Sequence, residues 1–282
     1  METCSHIDYE YLREIIFSRS QNVLEPSCDY LFETRLHRLL QRSGMTRLEE
    51  LVRLLKQRKD PILERAVAEA MTINETSFFR DGRPFELLRS ELLPTLIKER
   101  STMRRLRFWS AACSTGQEAY SVGMLLREHF PSLGNWNIQV EGTDISGEVV
   151  QRAREGRFHR IEMNRGLPAR FVVRYFEHVG EDWLVKPEIK DICHFRQADL
   201  CGPEFPFRRL ADRFDVIFLR NVMLYFSPET RRALLASIHR LLPPDGLLFL
   251  GSTEQPADPF LWTSIIEGGT CYFRPRQPNQ PT

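Results

Sequence analysis

The sequence predicts an α/β fold, a doubly wound sheet preceded by an all-helical N-terminal domain, and three observations support this. Residues 106–126 form an apolar strand, a glycine turn and an amphipathic helix in succession. Residues 138–143 form a second strand, which ends in Asp144. Residues 1–75 carry helical periodicity without strand patterning. With 282 residues and 42% hydrophobic content, the chain is long enough for two domains.

The composition of the chain argues against a nucleic-acid-binding, membrane-inserted or secreted protein. The 39 basic and 38 acidic residues nearly cancel, so we expect no nucleic-acid partner. No apolar run approaches the ~20 residues that span a bilayer, so we expect no direct membrane insertion. Residues 1–25 resemble no signal peptide. The six cysteines never fall in C-x-x-C spacing, which indicates reduced thiols in a cytoplasmic protein and no metal site.

Four helices are predicted in the N-terminal part of the chain. Apolar residues recur at helical spacing in residues 9–16, 30–40, 48–55 and 62–71. Gly44 and Pro61 lie where breaks between helices are expected. We therefore predict a small helical bundle.

Part of this bundle carries an excess of positive charge, because basic residues outnumber acids between residues 35 and 65. Such a face could dock an acidic partner. A solvated helix surface would explain the same pattern, so both interpretations stay open at this point. The basic residues are Arg35, Arg38, Arg42, Arg47, Arg53, Lys56, Arg58, Lys59 and Arg65.

A polar hinge segment, residues 72–83, leads into a predicted helix over residues 84–100. The hinge segment contains two adjacent phenylalanines, and a segment that only joined two domains would need no such aromatic anchor. Helix capping by its hydroxyl residues is the alternative explanation for its polar groups. The hydrogen-bonding groups considered for a site are Asn74, Thr76 and Arg80.

Gly116 and Asp144 are candidate ligand contacts in the first two βα units. Gly116 can adopt a positive φ and let a ligand approach the free N–H groups of a helix start. A glycine also serves a turn that has no ligand. Asp144, at the end of the second strand, can accept hydrogen bonds from a ribose diol. Its alternative role is to cap the helix that begins near Ser146.

The chain then departs from the βα alternation. Helices are predicted over residues 146–155 and 168–176. A short antiparallel hairpin is predicted between residues 183–186 and residues 192–197. We interpret the region over about residues 157–197 as a small β insertion.

The alternation resumes beyond residue 197. Residues 214–219 form an apolar strand, residues 228–242 a helix with proline near its first position, and residues 247–250 another strand. Residues 265–273 can supply the last antiparallel strands. This order of elements predicts a Rossmann-like enzyme with a helical N-terminal domain.

Five segments together resemble the chemotaxis receptor methyltransferase family, CheR. They occur in the order typical of that family, and the resemblance covers most of residues 30–275. The segments are NETSFFRD (74–81), FWSAACSTGQEAYS (108–121), GTDIS (142–146), FDVIFLRNVMLYF (214–226) and LLPPDGLLFLGSTE (241–254).

The resemblance implies a Rossmann-like S-adenosylmethionine-dependent methyltransferase domain over residues 99–282, which contains the small β insertion. A linker and connecting helix over residues 76–98 would join it to the helical domain of residues 1–75. The implied reaction transfers a methyl group to glutamate side chains of cytoplasmic chemoreceptor signalling helices for chemosensory adaptation, leaving S-adenosylhomocysteine. Alternatives are a methyltransferase that acts on another protein or a small molecule, and a non-catalytic S-adenosylmethionine-binding adaptor.

The family pattern also implies the site residues. Arg80 is assigned to orienting the cofactor or the substrate carboxylate, and Tyr225 to a position near the transferred methyl group. Glu118 is assigned to the cationic part of the cofactor, and Asp199 and Leu200 to adenine. A ring packed on the fold and surface ion pairs are the ordinary alternatives for the tyrosine and the arginines. The predicted cofactor contacts are Asn74, Thr76, Arg80, Gly116, Glu118, Asp144, Asp199, Leu200, Arg220 and Asn221.

One loop departs from the family pattern. Members that bind a pentapeptide at the receptor C-terminus typically have a longer, glycine-rich loop in the β insertion. Here the loop reads EHVGEDW and contains one glycine. We therefore expect no pentapeptide tether, and we expect the basic N-terminal helical domain to contact the receptor.

Overall fold

The computed structural model describes residues 4–202, 205–207, 213–256 and 258–276. The four helices predicted in the N-terminal part are confirmed, and their apolar faces share one core. The last of them begins at the N-cap Asp60, whose carboxylate accepts the N–H of Ile62 at 2.9 Å. The helices are α1 (His6–Ser20), α2 (Tyr30–Arg42), α3 (Leu48–Arg58) and α4 (Pro61–Ala70).

A helical segment follows the hinge segment and agrees with the prediction for residues 84–100. It consists of α5 (Arg83–Leu87), one π turn (Leu88–Leu92) and α6 (Leu93–Glu99). Arg100, directly after it, is buried and pairs with Asp215 at 2.7 Å and Asp245 at 2.8 Å. These ion pairs fix the end of the segment to the sheet that follows.

The remaining strands and α-helices of the described chain follow this segment. They are β1 (Arg105–Ala111), α7 (Gln117–His129), β2 (Asn137–Asp144), α8 (Gly147–Glu155), β3 (Arg157–His159), α9 (Arg160–Met163), α10 (Ala169–Tyr175), β4 (Phe176–Val179), β5 (Asp182–Val185), α11 (Pro187–Lys190), β6 (Cys193–Gln197), β7 (Val216–Leu219), α12 (Pro228–Leu241), β8 (Leu247–Leu250), β9 (Trp262–Glu267) and β10 (Thr270–Pro275).

The main sheet has the strand order β6-β2-β1-β7-β8-β10-β9. The strands from β6 to β8 are parallel, whereas β10 is antiparallel to both β8 and β9. Alternate residues face opposite sides: Phe108 and Phe218 lie in the core that includes α7, and Trp109 and Ile217 in the core that includes α12. The doubly wound α/β sheet, with antiparallel strands at its end, is confirmed.

The predicted hairpin between residues 183–186 and 192–197 is wrong. β5 pairs with β3 and β4 in a separate antiparallel sheet, whereas β6 lies parallel to β2 in the main sheet. Alternating apolar residues indicate a strand but do not identify its partner. Phe195 of β6 packs against Tyr120 of α7, with ring centroids 5.1 Å apart, and this burial holds β6 in the main sheet.

The described helices are too short or too polar to cross a membrane. All six cysteines are free thiols, and Cys113 and Cys193 are buried. Burial raises the pKa of Cys201 to about 12, so that this thiol stays protonated at neutral pH.

Candidate active site

A cleft of about 910 Å³, including space open to solvent, lies at the carboxyl edge of the main sheet. The residues that follow β1, β2, β6 and β7 line it, as is expected at this edge of an open parallel sheet. The hinge segment and the connection between α1 and α2 also contribute. The helical N-terminal part and the α/β part of the chain therefore line one cavity together.

Most of the predicted site residues line this cavity. The structure brings together residues that are up to 151 positions apart, because the hinge segment lies against the edge where the carboxyl ends of the parallel strands meet. The predicted residues in the lining are Asn74, Thr76, Arg80, Glu118, Asp144, Asp199, Leu200, Arg220, Asn221 and Tyr225.

Gly116 is the exception, because it lies outside the described lining of the cavity. It has a φ of 93°, and a Cβ there would come within 3.0 Å of Ala153 and 3.1 Å of the Phe195 ring. The backbone angle and the packing of α7 on α8 and β6 thus explain the glycine. The contact between Gly116 and a ligand stays a prediction.

Asp144 is held by backbone groups on both sides. Its Oδ2 accepts the N–H of Ser114 at 2.8 Å, and its Oδ1 accepts the N–H of Ser146 at 3.0 Å. The carboxylate lies in the cavity lining, and it also bonds to the residue before α8, so both roles considered from the sequence have a geometric basis. Burial raises its pKa above the usual aspartate value. A carboxylate has further lone pairs, which a diol could use.

Arg220 is the centre of a buried ion-pair network beside the cavity. Its Nη1 donates to Glu118 at 3.0 Å, and its Nη2 donates to the Arg80 carbonyl at 2.9 Å and to the Asp81 carboxylate. Ser110 donates to the second oxygen of Glu118 at 2.7 Å. The network joins the hinge segment to β1, β7 and α7.

Asn221 adopts a positive φ of 60° in the turn after β7. Glu254 stabilises this turn, because its carboxylate accepts the N–H groups of Asn221 and Met223 at 2.8 Å each and of Gly251 at 2.7 Å. Glu254 lies in the segment 241–254 that resembles the family, but nothing in the sequence indicates its role. Its three bonds link the loops after β7 and β8.

Tyr225 ends a short 3-10 helix, Met223–Tyr225. Its carbonyl accepts the N–H of Val23 at 2.8 Å. Arg231 donates to the carbonyls of Leu224 at 3.2 Å and Phe226 at 2.9 Å. The backbone around the tyrosine is therefore fixed from both the N-terminal part and α12.

The end of α1 and the connection that follows it supply two lining residues that the sequence did not predict, Ser20 and Asn22. Asn22 forms an isolated antiparallel bridge with Phe226. No local sequence signal marks these residues, since they reach the cavity through packing of the helical part on the loop that carries Tyr225.

Comparison with known proteins agrees with this architecture. Residues 74–266 match the family model described as CheR methyltransferase, SAM binding domain, and residues 7–72 match CheR methyltransferase, all-alpha domain. The chain belongs to the CheR methyltransferase family.

Named relatives are similar over most of their length. The chain is 39% identical to chemotaxis protein methyltransferase 1 of Pseudomonas aeruginosa, covering 89% of this chain and 91% of that one. It is 36% identical to chemotaxis protein methyltransferase Cher2 of Pseudomonas putida, covering 88% and 90%. A chemotaxis protein methyltransferase of Vibrio parahaemolyticus is 34% identical, covering 90% of each chain. The CheR resemblance found in the sequence is confirmed.

The cavity fits S-adenosylmethionine, the cofactor of the matched domain. Its lining offers carboxylates at Glu118 and Asp144 to a ligand with cationic groups and a ribose diol. Two lining residues have buried atoms without a hydrogen-bond partner among the described residues, Arg220 Nε and Asn221 Oδ1. One is a donor and the other an acceptor, which suits the carboxylate and amino groups of an amino-acid ligand. Within the described ranges, no group of three or more metal-ligating side chains is clustered.

Proposed function

We propose that this protein transfers the methyl group of S-adenosylmethionine to glutamate side-chain carboxylates of chemoreceptors, forming glutamyl methyl esters for chemosensory adaptation. One observation carries the proposal. In a chain of the CheR family, a single cavity at the carboxyl edge of the sheet collects Arg80, Glu118, Asp144 and Tyr225. We propose a cytoplasmic location, where receptor signalling helices are accessible.

The predicted site residues in the lining have distinct roles in the proposed complex. Asp144 binds the ribose hydroxyls, and Glu118 attracts the amino group of the cofactor. Asp199 offers a polar contact to adenine and Leu200 an apolar wall. Asn74 and Thr76, together with Arg220 and Asn221, complete the cofactor contacts from the hinge segment and the end of β7.

The reaction needs positioning more than proton transfer. Bound S-adenosylmethionine supplies a methyl group on a cationic sulfur. A glutamate carboxylate, with an ordinary pKa near 4.3, is already ionised at neutral pH, so the protein needs no general base to create the nucleophile. Arg80 orients this carboxylate through its planar guanidinium, and Tyr225 lines the path of the methyl group. Holding the reacting atoms in line can lower a barrier by ~7–11 kcal/mol.

We propose that the basic N-terminal helices contact the receptor. Several of the basic residues are used inside the molecule: Arg38 and Arg42 pair with Glu148 of α8, and Lys56 pairs with Asp8. The other basic side chains of α3 and of its C-cap residue are available to bind an acidic surface of the receptor. Its exposed residues without an ion-pair partner in the described ranges are Arg53, Arg58 and Lys59.

We also propose that no receptor pentapeptide tether binds. The segment EHVGEDW forms the end of β4, a tight turn and the start of β5. Gly180 lies in this turn with a φ of 66°. A turn this short leaves no extended glycine-rich loop to cover a peptide. A titration that shows micromolar binding of a receptor C-terminal pentapeptide would refute this.

Radiolabelled methyl transfer to a panel of receptor signalling fragments tests the proposed function. We expect incorporation of label that mild base releases, since methyl esters hydrolyse whereas methylated amines do not. Base-stable label would indicate a different acceptor group. Binding of S-adenosylhomocysteine without transfer to any fragment would support the adaptor or a different substrate instead.

A further inference from the structure

Glu69, near the C-terminal end of α4, bonds to the loop that follows Asp144. Its Oε2 accepts the N–H of Gly147 at 3.1 Å. Its Oε1 accepts a hydrogen bond from Gln197 Nε2 at 2.8 Å, and the same nitrogen donates to the Ile145 carbonyl at 2.8 Å. A carboxylate of the helical N-terminal part therefore lies directly against a loop of the cofactor cavity.

These contacts complete the start of α8. The first N–H groups of a helix lack partners within the helix, and a negative charge is favourable beside them. The N-cap residue, Ser146, makes no side-chain capping hydrogen bond. Asp144 accepts the N–H of Ser146 instead, and Glu69 accepts the N–H of Gly147. Two carboxylates from different parts of the chain thus hold consecutive backbone groups.

We propose that Glu69 is a positioning residue for the cofactor, which holds residues 144–147 in the conformation that presents the Asp144 carboxylate to the cavity. Glu69 is not among the described lining residues, so it acts through this loop. The inference deepens the proposed function and rests on it only for the identity of the ligand. It makes cofactor affinity depend on the contact between Glu69 of α4 and this loop.

Glu69 has two opposite effects on Asp144: its hydrogen bonds hold the loop that carries Asp144, and its negative charge repels the Asp144 carboxylate. Besides burial, which is the larger cause, the negative charge of Glu69 raises the pKa of Asp144. Removing Glu69 would relieve this repulsion and also release the loop. If position dominates, the affinity for the cofactor falls. Repulsion acts on the affinity by favouring protonation of Asp144, so at a pH well above this pKa only the release of the loop remains to change the affinity.

Calorimetric titration with S-adenosylhomocysteine, at a pH well above the pKa of Asp144, measures this change. We expect Glu69→Ala to raise Kd about fivefold to tenfold, which is a typical coupling between sites. Glu69→Gln keeps one acceptor oxygen and should be intermediate. The matched control is Glu148→Ala, which removes another acid at the start of α8. Glu148 pairs only with the exposed Arg38 and Arg42 in the described contacts, so its Kd should stay within about twofold of the wild type.

Steady-state kinetics give a second readout. A positioning role predicts a higher KM for S-adenosylmethionine with little change in kcat at saturation, whereas general loss of structure would lower kcat. If Glu69→Ala does not fold, Gln197→Met removes the donor that links Glu69 to Ile145 and should raise Kd in the same direction.

Three results would overturn the inference: an unchanged Kd in the folded variant tested, tighter binding, or an equal loss in Glu148→Ala. The titration does not involve a receptor. A wild-type protein that binds S-adenosylhomocysteine but methylates no receptor fragment would therefore refute the proposed substrate and leave the role of Glu69 testable.

Discussion

Arg220, which follows β7, and Glu118, in the first turn of α7, form an ion pair beside the cavity with 3.0 Å between Nη1 and Oε2. The side chains are 2% and 13% exposed. The same guanidinium bonds to the Arg80 carbonyl and the Asp81 carboxylate. One buried cation therefore fixes both the hinge segment and an acid of the proposed cofactor site.

Replacing Arg220 with methionine should lower the free energy of unfolding by about 2–4 kcal/mol, because Glu118 keeps a largely buried charge without its partner. Urea unfolding followed by circular dichroism measures this difference. Arg53→Met removes an exposed arginine and should change stability by less than about 0.5 kcal/mol. Equal stability of Arg220→Met and the wild type would contradict a structural role for the pair.

The affinity for S-adenosylhomocysteine should fall as the pH is lowered through the pKa of Asp144, because the protonated carboxyl accepts hydrogen bonds poorly from a diol. Burial raises this pKa above that of an ordinary aspartate. The loss of affinity should therefore begin at a higher pH than it would for a solvent-exposed aspartate. Calorimetry over a pH series measures the profile.

Asp144→Asn is the control for this profile. It should bind about tenfold to a hundredfold more weakly, as expected for a lost hydrogen bond to a charged group. Its affinity should no longer show the acidic step. A step that persists in the variant would assign the titration to another group.

Much of the fold could be predicted from the sequence, because the spacing of the buried apolar residues indicates the helices α1 to α4 and the parallel strands. The strand that pairs with β6 could not be predicted. The alternation in β6 is equally compatible with a hairpin, and the choice depends on packing against Tyr120, a residue of α7 that lies more than 70 positions earlier. A contact between residues so far apart in the sequence forms only in the tertiary structure, and local sequence patterns do not predict it.

Some residues of the candidate site could also be predicted from the sequence, and others could not. Acids at the ends of strands, such as Asp144, could be predicted because parallel strands end at one edge. Glu69 and Glu254 could not, since each bonds to backbone N–H groups of a distant segment. The packing around Gly116 explains why a glycine is needed there, and its contact with a ligand stays a prediction, because both uses require the same missing side chain.

Tyr225→Phe should lower kcat of methyl transfer about tenfold and leave the Kd of S-adenosylhomocysteine within about twofold, if the hydroxyl group helps to orient the reacting carboxylate. The backbone bonds to Val23 and Arg231 keep the turn in place when the hydroxyl is removed. Single-turnover transfer to a receptor fragment measures the effect. Tyr272→Phe, which removes a hydroxyl outside the cavity lining, should behave as the wild type, and equal rates in both variants would remove Tyr225 from the mechanism.

Reversing the charges of Arg53 and Arg58 to glutamate should slow receptor methylation at low receptor concentration, because an acidic receptor surface would then be repelled. The KM for receptor should rise, and added salt should reduce the difference from the wild type. The Kd of S-adenosylhomocysteine should not change, since neither residue lines the cavity. The matched control reverses Lys98 and Arg105, which are exposed in α6 and at the start of β1, the end of that strand opposite the cavity. If both double variants methylate the receptor at the same rate, the α3 surface does not contact it.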